Sequence, residues 1–454
     1  MSLTRRQALV GGAGAVAGAA GIYALVDRHT DAPTRPTAPS SLPPEQHLLS
    51  GVRVVTDNGV EVLVPPLHHA VVTATVVDGD LGKARDDLEA ALAGLETRYP
   101  ATPAGLGITV AWGLPYFRRY VPAQWERLQP YDIRAQSAAL LDARRFPSDP
   151  EDTELEQNDV AVLLRSDSLD TIAAAEKALF DDLGVLTKTT VRRGFAGGGL
   201  PSKLAVAAGV PGADLIPPEA ELFLGFTSTL RDNLGPSRIA NLETLGLARI
   251  PEGYFTHGTH MHLSHIHENL EAWYLNSSHD NRVHTTFRPG LPVEDGTQTV
   301  PQAPADVATV AEVSSDFHRK GAIGHSSAIQ TASRLQADHV ADDGTVYSKG
   351  TAIPHRADFN TLDNPFFWSA DPARDRMSSA PSAGVHFVVF NPSSDDFERV
   401  RLAMNGVLPG GVKLDLHARD RSQGFNSVLL TTHRQNFLVP PRRHRSFPLA
   451  ELLA

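Results

Sequence analysis

The order in which strand-like and helix-like patterns follow each other along the sequence most constrains how this chain can fold. Apolar residues alternate in 69–77, as in a strand, and leucines recur at helical spacing in 80–99. A strand at 107–113 follows, and the order returns in a strand at 159–164, a helix at about 168–183 and a strand at 186–191. This succession predicts a ferredoxin-like unit.

The second half of the chain carries the same kind of signal. A strand at 256–267 leads into a helix at 268–274, and much later a strand at 384–390 precedes a helix at 395–405. The sequence therefore predicts an α+β fold of two ferredoxin-like halves, packed face to face as in a dimeric α-β barrel.

Domain limits follow from this repetition. We assign 45–200 to the N-terminal half and 201–454 to the C-terminal half, which is expected to carry the site. The Gly-rich stretch 194–218 predicts a long functional loop. Residues 294–316 and 344–380 show no regular pattern.

Residues 1–44 have the pattern of an export signal followed by a tether. Arg5 and Arg6 directly precede a weakly apolar, Gly/Ala-rich run that ends near Val26, and a Pro-rich segment follows. The run is near the minimum length for a membrane span, so an uncleaved anchor is the alternative interpretation. We expect export by the twin-arginine route to the periplasm or the exterior, with the membrane contacted through this segment alone.

Composition excludes several kinds of chemistry. The chain of 454 residues has a formal net charge of -11, which argues against a nucleic-acid partner. It contains no cysteine, so thiolate nucleophiles, iron–sulfur clusters and Cys-type zinc sites are ruled out. Redox chemistry would therefore require a bound cofactor.

A histidine-rich stretch, HGTHMHLSHIHENLEAW, begins at His257. Side chains alternate along a strand, so His260 and His262 share one face, and His265 and His267 share the other with His257. An unbroken strand cannot direct all of them at one ion. A metal site would need a third ligand from elsewhere, and a half-buried strand is the simpler interpretation.

The same stretch resembles the strand–helix segment of the dye-decolourising haem peroxidases. Gly258, Thr259, Ile266 and the run Leu270-Glu271-Ala272-Trp273 stand at matching positions. Further similar segments occur in order at 69–77, 222–226, 384–390 and 436–441. The resemblance implies a divergent member of that family, an oxidoreductase with haem b that uses hydrogen peroxide and a small-molecule reductant. It leaves the oligomeric state open, with a homo-oligomer as one expectation.

The resemblance also implies site residues. His325, in Gly-His-Ser-Ser-Ala, stands where the family has its axial iron ligand. Ser228 takes the place of the family's distal aspartate, and Asp232 is the nearest substitute. Ser348 falls at the distal arginine, with Lys349 beside it, and Arg356 is a further candidate cation.

These distal changes leave the expected activity open. A serine hydroxyl cannot shuttle a proton near neutral pH as a carboxylate can, and lysine does not replace the planar fork of arginine. The prediction is a peroxidase-like enzyme with reduced activity. The alternatives are a catalytically degenerate haem-binding protein and an exported non-haem metal-binding protein.

Overall fold

The computed structural model describes residues 23, 41–57, 60–225, 238–239, 248–293, 307–340, 344, 346–364, 380–416 and 421–453. In this part of the chain, eight strands join edge to edge into a closed barrel. Numbered in chain order, they are β1 His68–Val76, β2 Gly107–Gly113, β3 Val160–Ser166, β4 Leu186–Phe195, β5 Thr259–Glu268, β6 Phe359–Thr361, β7 Gly384–Asn391 and β8 Leu429–Val439.

The barrel consists of two ferredoxin-like sheets. The first has the antiparallel order β4-β1-β3-β2, and the second has the equivalent order β8-β5-β7-β6. The sheets join where β6 pairs with β4 and where β8 pairs with β2. The predicted α+β fold of two ferredoxin-like halves is confirmed.

Helices lie around the barrel. They are α1 Leu81–Arg98, α2 Leu114–Tyr120, α3 Pro122–Leu128, α4 Leu169–Glu176, α5 Leu200–Ala208, α6 Leu270–Leu275, α7 His279–Thr286, α8 Val310–Lys320, α9 His325–Ser333 and α10 Ser394–Ala403. The remaining described strands are short: Arg53–Asp57, Val60–Val64, Tyr131–Asp132, Ser137–Ala138, Glu154–Leu155, Arg238–Ile239, His339–Val340, Val346–Tyr347, His355–Arg356, Val407–Leu408 and Val412–Lys413.

The barrel interior is apolar at its centre. Val71, Leu163, Leu263 and Phe437 come from β1, β3, β5 and β8 and form one buried cluster. Strands that are distant in the sheet can share a cluster only across the lumen, so these positions face inward. Their neighbours along each strand therefore face outward. This alternation identifies the outer face on which the candidate site lies.

Tyr23 connects the N-terminal segment to the barrel. Its side chain is buried, and its hydroxyl donates to Asp363 Oδ1 at 2.8 Å and accepts from the Leu362 N–H at 3.2 Å. The segment predicted to be a signal and tether thus has at least one residue packed on the folded domain. No helix within the described residues is long and apolar enough to cross a membrane.

Two stretches predicted to be irregular contain helices. Within 194–218, α5 lies between Gly199 and Gly209, whose φ values of 73° and 69° are left-handed and suit glycine. Within 294–316, α8 begins behind a capping box formed by Thr309 and Glu312. The prediction of irregular structure was wrong at these two places, because the Gly and Pro residues of both stretches lie outside the helices or in a first turn, where they are compatible with a helix.

Candidate functional site

His325 opens α9, beside the outer face of the second sheet. The glycine before it, Gly324, passes so close to the Phe287 carbonyl that a Cβ there would clash. Gly424, at a φ of 58°, approaches the backbone nitrogen of His325 from the other side, where an added Cβ would lie 3.2 Å away. Two glycines therefore fix the position at which the imidazole enters the site.

The His325 imidazole is held neutral. Burial, reinforced by the nearby positive charges of Arg356 and Arg401, lowers the pKa of His325 to about 3. Its ring packs against Phe425 with the centroids 4.5 Å apart, and its Nδ1 is buried with no hydrogen-bond partner within the described residues. A neutral imidazole with a nitrogen that makes no hydrogen bond is the form that binds a metal.

Arg356 faces the same space from the sheet. Ala357 and Phe359 point into the barrel, so the alternating positions Arg356 and Asp358 lie on the outer face. The guanidinium donates to both oxygens of Asp358, at 2.9 Å from Nε and 2.7 Å from Nη2. This bidentate pair fixes the orientation of the cation. The Arg356 side chain keeps 36% of its exposure, so its outer edge can still meet a ligand.

A second carboxyl, Glu268, lies at the end of β5. It is buried, and its Oε2 has no hydrogen-bond partner within the described part of the chain. Burial, with the negative charge of Asp358 adding to it, raises the pKa of Glu268 to about 8. Glu268 therefore carries its proton at neutral pH, whereas most carboxyls do not.

The structure separates the predicted site residues into two groups. His325 and Arg356 lie near enough to interact electrostatically. Ser348 and Lys349 lie in an exposed turn, where the Lys349 N–H donates to Asp338. Nothing in the described structure tests their predicted roles in cofactor binding, so these stay predictions. Ser228 and Asp232 lie outside the described residues, so their predicted roles stay predictions.

The histidine-rich stretch is a central strand rather than a metal cage. β5 pairs with β7 on one side and β8 on the other. His262 faces outward, accepting or donating hydrogen bonds with Asn436 and Ser264 at 2.6 Å, and its ring stacks on Phe397. His265 faces inward, as the alternation predicts. Within the described residues, no three His, Cys, Asp or Glu side chains converge to hold a metal ion.

Sequence reasoning missed Glu268 and Asp358. Asp358 could have been found, because it follows Arg356 by two positions, a spacing that puts both side chains on one face of a strand. Glu268 carries no such signal. A charged residue between a strand and a helix is usually solvent-exposed, and its burial depends on packing between distant segments.

Two-sheet barrels of this kind, with helices over the outer face, form the fold of the DyP-type peroxidases. The DyP-type peroxidase from Cellulomonas bogoriensis shares this fold at 18% sequence identity and a TM-score of 0.50, over 88% of this chain and 94% of that one. The resemblance inferred from the sequence is thus confirmed for the fold.

Other solved structures are similar to a lesser degree. They include the encapsulated DyP-type peroxidase from Mycobacterium smegmatis, with 13% identity, a TM-score of 0.47 and coverage of 84% of this chain and 95% of that chain. A Rhodococcus jostii RHA1 DypB variant in complex with heme has 14% identity, a TM-score of 0.44 and coverage of 84% and 96%.

By sequence, the chain belongs to a family of unknown function (DUF7405), which it matches over residues 66–441. A comparison with curated proteins found no match.

Proposed function

We propose that this protein is an exported, haem-dependent, peroxidase-like oxidoreductase that uses hydrogen peroxide and a small-molecule reductant. The observation that carries the proposal is the position of His325. Its neutral imidazole has an uncommitted buried nitrogen and lies near the Arg356–Asp358 pair on the outer face of the second sheet. The shared fold with a DyP-type peroxidase supports it.

The residues present fit a haem group. His325 would bind the iron, since a neutral imidazole is a common haem ligand. When bound, haem supplies the iron that cleaves the peroxide bond and accepts oxidising equivalents. The unpartnered Nδ1 of His325 and the unpartnered Oε2 of Glu268 are the buried polar atoms that such a ligand and its substrate would engage.

The chain's own groups would handle charge and protons. Arg356 is fixed by Asp358 and can stabilise negative charge that develops on an oxygen leaving the peroxide. Glu268 holds a proton at neutral pH and can release and recover it, because its pKa of about 8 lies near neutrality. Glu268 would thus take the acid–base role that a serine at position 228 cannot fill.

Substituting His325, the residue that would hold the haem iron, tests the cofactor. The full chain expressed with a haem supply should show a Soret band, and His325→Ala should lose most of its bound haem while keeping its circular dichroism spectrum. His318→Ala removes an exposed histidine of α8 and serves as the matched control. Full haem occupancy in His325→Ala would show that His325 does not bind the haem iron.

Peroxide turnover distinguishes an enzyme from a haem-binding protein without activity. We expect Arg356→Lys to lower peroxide-dependent dye oxidation by about a hundredfold at unchanged haem content, since a lysine cannot form the paired fork. A wild-type protein that binds haem and oxidises no dye would favour the catalytically degenerate alternative.

Export by the twin-arginine route completes the proposal. Arg5 and Arg6 directly before a Gly/Ala-rich run support it, and this route carries folded proteins that already hold a cofactor. The double variant Arg5→Lys, Arg6→Lys should remain in the cytoplasm when cells are fractionated. An unchanged distribution would contradict the assignment.

A further inference from the structure

Two buried arginines meet under α10, on the outer face of the barrel. Arg434 in β8 keeps 1% of its side-chain exposure, and Arg401 in α10 keeps 10%. Both donate to one oxygen, Oδ1 of Asp149, at 2.9 and 3.1 Å. Asp149 is itself fully buried, and its other oxygen accepts from the Phe146 N–H at 2.7 Å. One carboxylate therefore serves two buried cations.

The surrounding charges leave this cluster positive. Glu398 is the other nearby carboxylate, and it pairs with Arg144 at 2.8 Å. Three guanidinium groups thus face two carboxylates. Burial lowers the pKa of Arg434 to about 10, with the positive charge of Arg401 adding to it, and burial also lowers the pKa of Arg401.

Each of the two arginines also has a buried nitrogen that donates no hydrogen bond within the described residues. Arg434 Nε and Arg401 Nη1 are buried without a hydrogen-bond partner in the described structure. Each guanidinium lies over the ring of Phe146, 4.8 and 5.4 Å from its centroid, and an aromatic face satisfies a cation only partly. Buried donors are rarely left unpaired, so these point to a ligand that the protein chain does not itself supply.

We propose that Arg401 and Arg434 form a binding site for a carboxylate or similar small oxyanion. Guanidinium donors and carboxylate acceptors match in geometry and charge. The site adjoins the His325 site, because α9, which begins at His325, packs against α10, which carries Arg401. The carboxylate can come from a free small acid or from a side group of the molecule bound at His325; the second source rests on the proposed function.

Free carboxylates are tested on the full chain by thermal unfolding. Sodium acetate should raise the Tm of the wild type above its value in sodium chloride of equal ionic strength. Arg401→Gln should abolish this difference, since Arg434 then remains as the one arginine of the pair and its charge is balanced by Asp149. Arg399→Gln is the control: it removes the same charge from α10, where Arg399 already pairs with Asp395 and Asp396.

The second arm compares haem with its dimethyl ester, which lacks carboxylates, by absorbance titration. A carboxylate held by this site should favour haem about tenfold in the wild type and in Arg399→Gln. The preference should vanish in Arg401→Gln and persist in part in Arg401→Lys. If neither porphyrin binds, the proposed function fails and the acetate arm still decides the anion site. The anion site is refuted if sodium acetate raises the Tm of the wild type no more than sodium chloride does and the wild type binds haem no more tightly than its dimethyl ester. It is also refuted if Arg401→Gln keeps either of these differences.

Discussion

Acidification below about pH 5.5 is expected to unfold this protein cooperatively. Burial lowers the pKa of eight histidines outside the candidate site, which therefore bind protons less readily in the folded state than in the unfolded chain. They are His47, His69, His260, His262, His265, His267, His355 and His386.

The sign follows from proton linkage. Above the unfolded pKa of 6.5, both states bind no proton at these histidines and the stability is fully present. Below it, the unfolded state binds up to eight more protons, so stability falls with pH by up to about 11 kcal/mol per unit. Glu268, whose pKa is raised, opposes this by about 1.4 kcal/mol per unit. A total stability of about 5–15 kcal/mol would be lost within one or two units.

Denaturant unfolding at a series of pH values measures this slope. We expect several protons to be taken up on unfolding near pH 5.5, and one fewer in His69→Leu, because His69 is stacked on Phe359 with both ring nitrogens unpartnered in the described structure. His339→Leu alters an exposed histidine and should leave the slope unchanged. A stability that is flat between pH 7 and 5 would contradict the buried-neutral description.

Local patterns in the sequence predicted most of the barrel and less of the site. Alternating residues identified β1, β2 and β7, because a strand between two packed layers must alternate. The same rule assigned His262 and His265 to opposite faces. It could not predict that β5 is paired on both sides, since pairing depends on segments more than a hundred residues away.

The site depends on such distant pairings. His325 was selected by its place in the order of segments, and Arg356 as one of several candidate cations. That the two lie near each other follows from the fold, because α9 packs against α10, α10 lies on β7, and the short strand of Arg356 pairs with β7. The protonation of Glu268 depends on its burial and on Asp358, and neither is visible in the local sequence.

Replacing Glu268 with glutamine is expected to stabilise the protein at alkaline pH. Burial raises the pKa of Glu268 from 4.5 to about 8, so the folded state holds a proton that the unfolded state has released. Between these values the stability of the wild type falls as pH rises, and the penalty reaches roughly 5 kcal/mol above pH 8. Glutamine has nearly the same shape and does not ionise, so Glu268→Gln escapes the penalty.

Denaturant unfolding at pH 4 and pH 8.5 checks this difference. The wild type and Glu268→Gln should have similar stability at pH 4, and the variant should be the more stable by about 3–5 kcal/mol at pH 8.5. Glu271→Gln, at an exposed position of α6 three residues further along the chain, is the control and should show no such change. Equal stabilities at pH 8.5 would show that Glu268 ionises as an ordinary carboxyl.

The same variant should lose peroxide-dependent activity while it gains stability. Glutamine keeps the volume of Glu268 and cannot exchange a proton, so we expect dye oxidation to fall by about 10²–10⁴-fold at unchanged haem content. A residue that costs stability yet is needed for turnover is typical of a functional site. Full activity in Glu268→Gln would remove this carboxyl from the proton transfer and leave Asp358 as the remaining described carboxylate beside Arg356.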